Sequence, residues 1–96
     1  MDLKKLVNEP STTIIDVREP WEFNMGHVEN SINIPLADVY KNVEQFRQMS
    51  KPLVLICASG NRSGMATALL SAQGIEEVYN GGGWQDVGYL KLKNAS

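Results

Sequence analysis

The sequence contains very little of two residues on which many specialised sites depend. One cysteine and one histidine occur among its 96 residues. A single cysteine excludes an internal disulfide, and a zinc site would have to draw its ligands mostly from carboxylates. We therefore expect no metal and no other cofactor.

Positive charge and long apolar runs are also scarce. The formal net charge is -2, and the sequence has no basic patch that would attract nucleic acid. No apolar run approaches the length of a membrane span, and residues 1–5 lack the hydrophobic region of a signal peptide. We expect no nucleic-acid partner, no membrane partner and a cytoplasmic location.

The composition is that of an ordinary globular domain. Apolar residues make up 43% of the chain and charged residues 21%, and no internal repeat is visible. A chain of this length is typical of one domain with a modest core. Residues 1–96 are therefore interpreted as a single domain.

An apolar run leads to the only cysteine. Residues 53–56 follow a proline and deliver Cys57 to a short polar loop. The run is too short for a core helix and is typical of a strand buried on both faces of a parallel sheet. Residues 63–73 then have helical spacing, with Gly74 as a stop signal. Ligands bind at the carboxyl ends of strands in open α/β sheets, so chemistry is predicted at Cys57.

The predicted place of Cys57, just before the amino end of a helix, favours a thiolate. Unpaired N–H groups and the helix dipole stabilise negative charge there, and Arg62 adds a permanent cation. A thiolate attacks electrophilic sulfur or phosphorus. The competing interpretation is a structural cysteine, because cysteine is among the most buried residue types. The pairing of Cys57 with Arg62 and Ser63 before a helix favours the functional interpretation.

The rest of the chain alternates between strand and helix patterns. Further strands are predicted at 11–17, 31–35 and 76–80. Further helices are predicted from Asp2 to before Pro10, from 18 towards Gly26, over 36–49 and as one turn at 86–90, followed by a frayed tail at 91–96. This alternation predicts a three-layer α/β domain with a mainly parallel sheet and right-handed crossovers.

Helical spacing also predicts which side chains face the core. In the helix at 36–49 they are Leu36, Val39, Tyr40, Val43, Phe46 and Met49. In the helix at 63–73 they are Met65, Ala68, Leu69 and Ala72. In the segment around the short helix after residue 18 they are Trp21, Met25 and Val28. The glycines at 81–83 are either a turn or a place where backbone approaches the site closely.

Two charged positions near residue 20 have alternative interpretations. Arg18 and Glu22 are four residues apart, a spacing that favours an ion pair across one helical turn. His27 is a candidate general base near the cysteine. A glycine-flanked histidine in a loop is more often a hydrogen-bonded structural residue, and we favour that interpretation.

Several short motifs follow one another in a specific order. They are Asp16-Val17-Arg18-Glu19-Pro20-Trp21-Glu22-Phe23, Gly26-His27-Val28, Ser31-Ile32-Asn33-Ile34-Pro35, Cys57-Ala58-Ser59-Gly60-Asn61-Arg62-Ser63 and the glycines at 81–83. Together they resemble a single-domain rhodanese, and the match spans about residues 14–87. The resemblance implies a rhodanese-like fold with four to five mainly parallel strands flanked by helices.

The same resemblance implies a sulfurtransferase. Cys57 would take sulfane sulfur from a small, thiosulfate-like anionic donor and become a persulfide. It would pass the sulfur in trans to cyanide, glutathione or a thioredoxin-like protein. The substrate cradle would be the backbone amides of Ala58, Ser59, Gly60, Asn61, Arg62 and Ser63, with Arg62 engaging the donor. The residues that would support the fold and the loop without taking part in chemistry are Asp16, Arg18, Glu22 and His27.

The chain departs from the family pattern in a few places. Its amino-terminal segment is short, so the edge strand that usually opens this fold is expected to be shortened or missing. Ser31 stands where alanine is commoner, and Val87 stands where many relatives look aromatic. Arg62 is the only charged side chain in the loop, so a strong preference for dianionic thiosulfate does not follow.

Two other functional interpretations stay open. Cysteine-type phosphatases and arsenate reductases hold an oxyanion in a similar loop. However, four residues separate Cys57 from Arg62 where that pattern resembles five, and Ile56 stands where a histidine often precedes the cysteine. The second alternative is a persulfide carrier or a non-catalytic module that docks a protein partner, because a fold does not determine a function.

Overall fold

A computed structural model describes residues 2–95, and it describes the surroundings of side chains as far as Leu92. The strands in that range are β1 (Thr13–Asp16), β2 (Ile32–Asn33), β3 (Leu53–Cys57) and β4 (Val78–Gly83). The helices are α1 (Leu3–Asn8), α2 (Pro20–Asn24), α3 (Leu36–Val39), α4 (Val43–Gln48), α5 (Asn61–Ala72) and α6 (Trp84–Ala95), with a 3-10 turn at Tyr40–Asn42. The sheet order is β2-β1-β3-β4, and each neighbouring pair is parallel.

The central strand β3 is buried along its whole length. Leu53, Leu55 and Cys57 belong to one apolar cluster, while Val54 and Ile56 belong to a second. Successive side chains of a strand point to opposite faces, so helices must cover both faces of the sheet. The predicted three-layer α/β fold with a mainly parallel sheet is confirmed.

The larger cluster lies between the sheet and the helices α3, α4 and α5. Val39, Val43 and Phe46 are buried there, as the spacing of residues 36–49 predicts, whereas Tyr40 is exposed. Burying each large apolar side chain stabilises the fold by roughly 1.5 to 3 kcal/mol. The helical segment is divided because a 3-10 turn begins at Tyr40.

The second cluster lies between the sheet and the helices α1 and α6. Val7 of α1 and Val87 of α6 are buried against Val54 and Ile56. The side chain of Asp2 caps α1 by accepting a hydrogen bond from the Lys5 amide at 3.2 Å. Between residue 2 and β1 the chain forms this helix and no strand. Within residues 2–95 no helix combines the length and the apolar composition that crossing a bilayer requires.

Strand β4 and helix α6 both run further than the sequence predicts. β4 continues through the glycine run because Gly82 pairs with Ile56 and Gly83 pairs with Cys57, with a register shift that leaves Gly81 as the extra residue of a bulge. Helix α6 extends to Ala95 and packs on α1, with Val87 buried and Trp84 and Leu90 partly buried in the same cluster. The expectation of one turn at 86–90 and a frayed tail is wrong as far as Ala95, and Ser96 lies outside the described residues.

Helix α5 turns a different face to the core from the one predicted. Ser63, Ala66 and Leu70 are buried, whereas Met65 and Ala68 are exposed. The first turn places Ser63 against the Cys57 sulfur, and that contact sets which side of the helix faces the sheet. Of the predicted face, only Leu69 packs against the core.

Helix α2 buries none of its side chains. The expectation that Trp21 and Met25 pack inward is wrong, because they are 66% and 83% exposed. The space beneath α2 is taken by the guanidinium of Arg18, which donates hydrogen bonds to the carbonyl oxygens of Glu22 and Gly26. Val28, beyond the end of the helix, is buried as predicted.

The bulge at Gly81 predicts a sharp intolerance of side chains. A Cβ atom at this position would lie 2.6 Å from Val54 Cγ1 and 3.0 Å from Ile56 Cγ2. We expect Gly81→Ala to lower the free energy of unfolding by about 1 to 3 kcal/mol, because overpacking forces buried neighbours to shift. Urea denaturation measures the change.

Gly88→Ala is the matched control for that experiment. A Cβ at Gly88 meets only Val28 Cγ2, at 3.9 Å, within helix α6. Alanine is favoured over glycine in helices, so this variant should gain about 0.5 to 1 kcal/mol. Equal effects of the two substitutions would contradict the packing argument.

Candidate active site

Cys57 ends β3, and three residues separate it from the start of α5. Gly60 makes this turn possible because it adopts φ +102°, a conformation that side chains disfavour. A Cβ on Gly60 would also lie 3.3 Å from Gly82 Cα, so the loop and β4 touch through backbone. The glycine run therefore provides the close backbone approach that was one of its two predicted interpretations.

The sulfur of Cys57 lies at the amino end of α5. Sγ accepts hydrogen bonds from the amides of Gly60 at 3.0 Å and Ser63 at 3.4 Å, and the Ser63 hydroxyl lies 3.3 Å away. Cys57 is only 1% exposed. The side chains of Ala58, Ser59 and Asn61 face solvent above it. The loop thus turns its N–H groups inward and its small side chains outward.

These contacts control the ionisation of Cys57. Burial raises the pKa of the thiol, but the Ser63 hydroxyl and the amides of Ser63, Gly60 and Ser59 oppose this and bring the pKa below its ordinary value. The net direction favours the thiolate, which is the nucleophilic form. The sequence predicts the same direction from the helix terminus.

Asn80 holds the loop from the neighbouring strand, a role that the sequence reasoning missed. Its amide nitrogen donates to Gly60 O at 3.1 Å, and its carbonyl oxygen accepts from the Gly82 amide at 3.0 Å and from the Ser63 hydroxyl at 2.7 Å. Ser63 has one hydroxyl hydrogen, so Cys57 and Asn80 compete for it. A polar residue at the carboxyl end of a predicted strand was the available signal.

Arg62 is paired with Glu22 across the loop. The two guanidinium nitrogens Nη1 and Nη2 donate to the carboxylate at 2.7 Å and 3.0 Å. Arg62, and then the backbone amide of Glu19, lower the pKa of Glu22 to about 2. The hydrogen bonds that Arg62 donates to Glu22 raise the pKa of Arg62. Arg62 therefore stays a cation, but its charge is matched by a fixed carboxylate.

The predicted pair between Arg18 and Glu22 is wrong at the side-chain level. Arg18 instead forms a buried ion pair with Asp16, whose Oδ2 lies 2.7 Å from Nη2. The Arg18 guanidinium also lies over the Trp84 ring, 4.4 Å from its centroid. Asp16 is fully buried at the end of β1, two residues before Arg18, and a buried carboxylate requires a cation close by. Because Arg18 also donates hydrogen bonds to the carbonyl oxygens of Glu22 and Gly26, this ion pair fixes the position of α2 and of Glu22.

His27 lies apart from the contacts made by the sulfur. Its ring is exposed and stacks on Phe23 at a centroid distance of 3.8 Å. Its Nδ1 is 2.8 Å from the Phe23 carbonyl oxygen, so Nδ1 is placed to donate its hydrogen there. This geometry is that of a structural histidine. Among the described residues, no three side chains of His, Cys, Asp or Glu are grouped so that they could hold a metal ion.

Comparison with known proteins gives a match over most of the chain. The family model described as "Rhodanese-like domain" matches residues 1–88. A solved structure described as "rhodanese with anions from E. coli" is similar, with a TM-score of 0.70 and 33% sequence identity. That match covers 78% of this chain and 89% of the solved one.

Of three curated relatives, two have names that state different functions and one is named as uncharacterised. "Uncharacterized protein YqhL" of Bacillus subtilis (strain 168) is 42% identical over 67 residues, covering 70% of this chain and 52% of that protein. "Thiosulfate sulfurtransferase PspE" of Escherichia coli (strain K12) is 36% identical over 80 residues, covering 82% and 77%. "tRNA uridine(34) hydroxylase" of Pelagibacter ubique (strain HTCC1062) is 30% identical over 77 residues, covering 78% and 26%. The chain thus spans about half the length of the Bacillus relative.

The shared hydroxyl of Ser63 predicts a measurable effect on the sulfur. We expect Ser63→Ala to raise the pKa of Cys57, because a donor that stabilises the thiolate is lost. The pH dependence of alkylation by iodoacetamide reports this pKa, and the single cysteine makes the signal unambiguous.

Ser71→Ala, at an exposed position of the same helix, is the control and should leave the alkylation profile unchanged. An unchanged profile in Ser63→Ala as well would mean that the hydroxyl hydrogen stays on Asn80.

Proposed function

Because the chain belongs to the rhodanese-like domain family, we propose that it is a sulfurtransferase that works through a persulfide on Cys57. The donor is a small anionic sulfane compound of the thiosulfate class, and the acceptor is a thiol or cyanide. The observation that carries the proposal is the environment of the buried Cys57 sulfur. The sulfur accepts hydrogen bonds from the Gly60 and Ser63 amides, and the pKa of the thiol is lowered.

The chemistry of the proposed first step balances without a further reactant. The Cys57 thiolate attacks the outer sulfur of thiosulfate, the S–S bond of the donor breaks, and sulfite leaves with the bonding electron pair. The enzyme then carries a persulfide whose terminal sulfur bears the negative charge. The amino end of α5 stabilises that charge as it stabilises the thiolate.

The relatives support sulfur transfer as the class of reaction more strongly than they support thiosulfate as the donor. The Escherichia coli relative is named a thiosulfate sulfurtransferase, and the match covers most of both chains. A similar stretch also forms part of a tRNA uridine(34) hydroxylase, so the domain has more than one role. Thiosulfate as the donor and cyanide, glutathione or a thioredoxin-like protein as the acceptor are therefore parts of the proposal.

The proposal includes transfer in trans and a cytoplasmic location. Cys57 is the only cysteine, so the persulfide has no second thiol in the chain with which to form a disulfide. A reducing compartment keeps the cysteine free for loading and supplies thiol acceptors.

Two alternatives are less well supported by the site. A phosphatase needs a loop that surrounds a tetrahedral phosphoryl group, whereas here Arg62 faces Glu22 and the loop amides converge on one sulfur atom. A module that only docks a partner has no need of a lowered thiol pKa at Cys57.

Removing the sulfur tests the catalytic role directly. We expect Cys57→Ala to abolish loading, because it removes the nucleophile and leaves only a small space at the end of β3. Intact mass after incubation with thiosulfate, 3-mercaptopyruvate or a cysteine-desulfurase mixture should show one added sulfur atom in the native chain and none in the variant.

The variant must stay folded for this result to count, which circular dichroism and urea denaturation check. Sulfur loading of folded Cys57→Ala would refute the role of the cysteine, and the absence of loading in the native chain with every donor would refute the proposed function.

Discharge of the persulfide is predicted to depend on an added acceptor. Once loaded, the protein should persist when small thiols, cyanide and partner proteins are removed, and it should lose sulfur at a rate that rises with the concentration of added glutathione. Time-resolved intact mass measures both. Fast discharge that is independent of acceptor and protein concentration would show that something other than transfer in trans empties the site.

A further inference from the structure

We infer that Glu22 sets the charge selectivity of the Cys57 loop by occupying Arg62, so that the site favours monoanionic over dianionic ligands. This inference rests on the proposed function and ranks its anionic sulfane donors by charge: monoanions, such as organic thiosulfonates, are favoured over dianionic thiosulfate. Glu22 acts through Arg62 and does not touch the reacting sulfur. It is therefore a specificity residue rather than a catalytic one.

The Glu22 carboxylate binds the guanidinium that carries the loop's positive side-chain charge. Arg62 is the only charged side chain among residues 57–63. Both of its terminal nitrogens bind the Glu22 carboxylate, at 2.7 Å and 3.0 Å, in the two-pronged arrangement that an incoming oxyanion would otherwise adopt. The Glu22 carboxylate thus occupies the position on Arg62 that the oxyanion of a bound ligand would take.

Glu22 is held in this position by the chain around it. Its Oε1 accepts a hydrogen bond from the Glu19 amide at 2.9 Å, as part of the capping box that starts α2. Its carbonyl oxygen accepts from Arg18, which is anchored by the buried Asp16. The Glu22 side chain is only 18% exposed. An entering anion therefore competes with a carboxylate that has little freedom to move away.

The electrostatic consequence depends on the charge of the ligand. Arg62 and Glu22 together are close to neutral, and the Cys57 thiolate next to them is negative. Each added negative charge on a ligand then meets repulsion from the thiolate without a free cation to offset it. The repulsion between a dianion and the thiolate is about twice that of a monoanion, so a monoanion of the same shape binds relatively better.

Sulfate and methanesulfonate provide a matched pair of probes. They share a sulfonyl group and differ by one negative charge, since a methyl group replaces one oxygen. Each is titrated as a protector of Cys57 against alkylation by iodoacetamide, at constant pH and ionic strength. The two dissociation constants give a charge-selectivity ratio for the native chain and for each variant.

Glu22→Gln is the informative variant and Glu44→Gln is its matched control. Glutamine keeps the shape and can still accept the Glu19 amide. Glu44 pairs with Arg47 at 3.2 Å on α4, an exposed ion pair away from the loop. Both substitutions remove one negative charge and one ion pair, so the difference between the two variants separates the local effect at the loop from the change in net charge.

We expect the native chain to bind sulfate no more tightly than methanesulfonate. Glu22→Gln should shift the ratio towards sulfate by roughly three- to tenfold, as a released guanidinium gains a charge-assisted contact, while Glu44→Gln leaves it unchanged. A native preference for sulfate would overturn the inference, as would equal shifts for both ions or no protection of Glu22→Gln by sulfate.

The same readout separates this inference from the proposed function. Protection of Cys57 requires no sulfur transfer, so the selectivity ratio is measured even if the chain loads no sulfur from any donor. Loading by thiosulfate and by methanethiosulfonate, followed by intact mass, tests the function itself. In that assay Glu22→Gln should favour thiosulfate relative to methanethiosulfonate by a similar factor, because these donors differ by the same single charge.

Discussion

The hydrogen bonds that meet at the Cys57 sulfur set the arrangement of the carboxyl edge of the sheet. They require the loop to turn through Gly60 and the first turn of α5 to place Ser63 beside the sulfur. With Ser63 facing the sheet, positions three and seven residues later, Ala66 and Leu70, must also face it. Arg62, one position earlier, then points sideways towards α2 and meets Glu22.

The parts of the fold that sequence predicts well are those determined by local patterns. The uniformly apolar run of β3 has one favourable environment, the centre of a parallel sheet, and the structure buries all five of its residues. The buried positions Val39, Val43 and Phe46 are also predicted from a local pattern. At helical spacing these apolar side chains lie on one side of the helix, and that side faces the core. The position of Cys57 at the strand end follows from these local patterns.

The parts that sequence predicts poorly depend on contacts between distant segments. Glu22 and Arg62 are 40 residues apart, and Ser63 and Asn80 are 17 apart. Arg18 has three carboxylates within four positions, those of Asp16, Glu19 and Glu22, and helical spacing favoured Glu22. The structure joins it to Asp16 because that carboxylate is fully buried and needs a cation close by. The exposed face of α5 was mistaken for its core face because alanines fit either side.

The same contacts change the electrostatic account of the thiolate. Arg18 is paired with Asp16 and Arg62 with Glu22, so each of these guanidinium groups already has a carboxylate partner. The groups that lower the pKa of Cys57 against the effect of burial are the Ser63 hydroxyl and three backbone amides, all of them neutral dipoles. Such dipoles are fixed by the fold, carry no counterions and favour negative charge at one point without attracting further anions. The site is therefore built to hold a single negative charge on sulfur, and a loop with a free cation would be built to hold an oxyanion beside it.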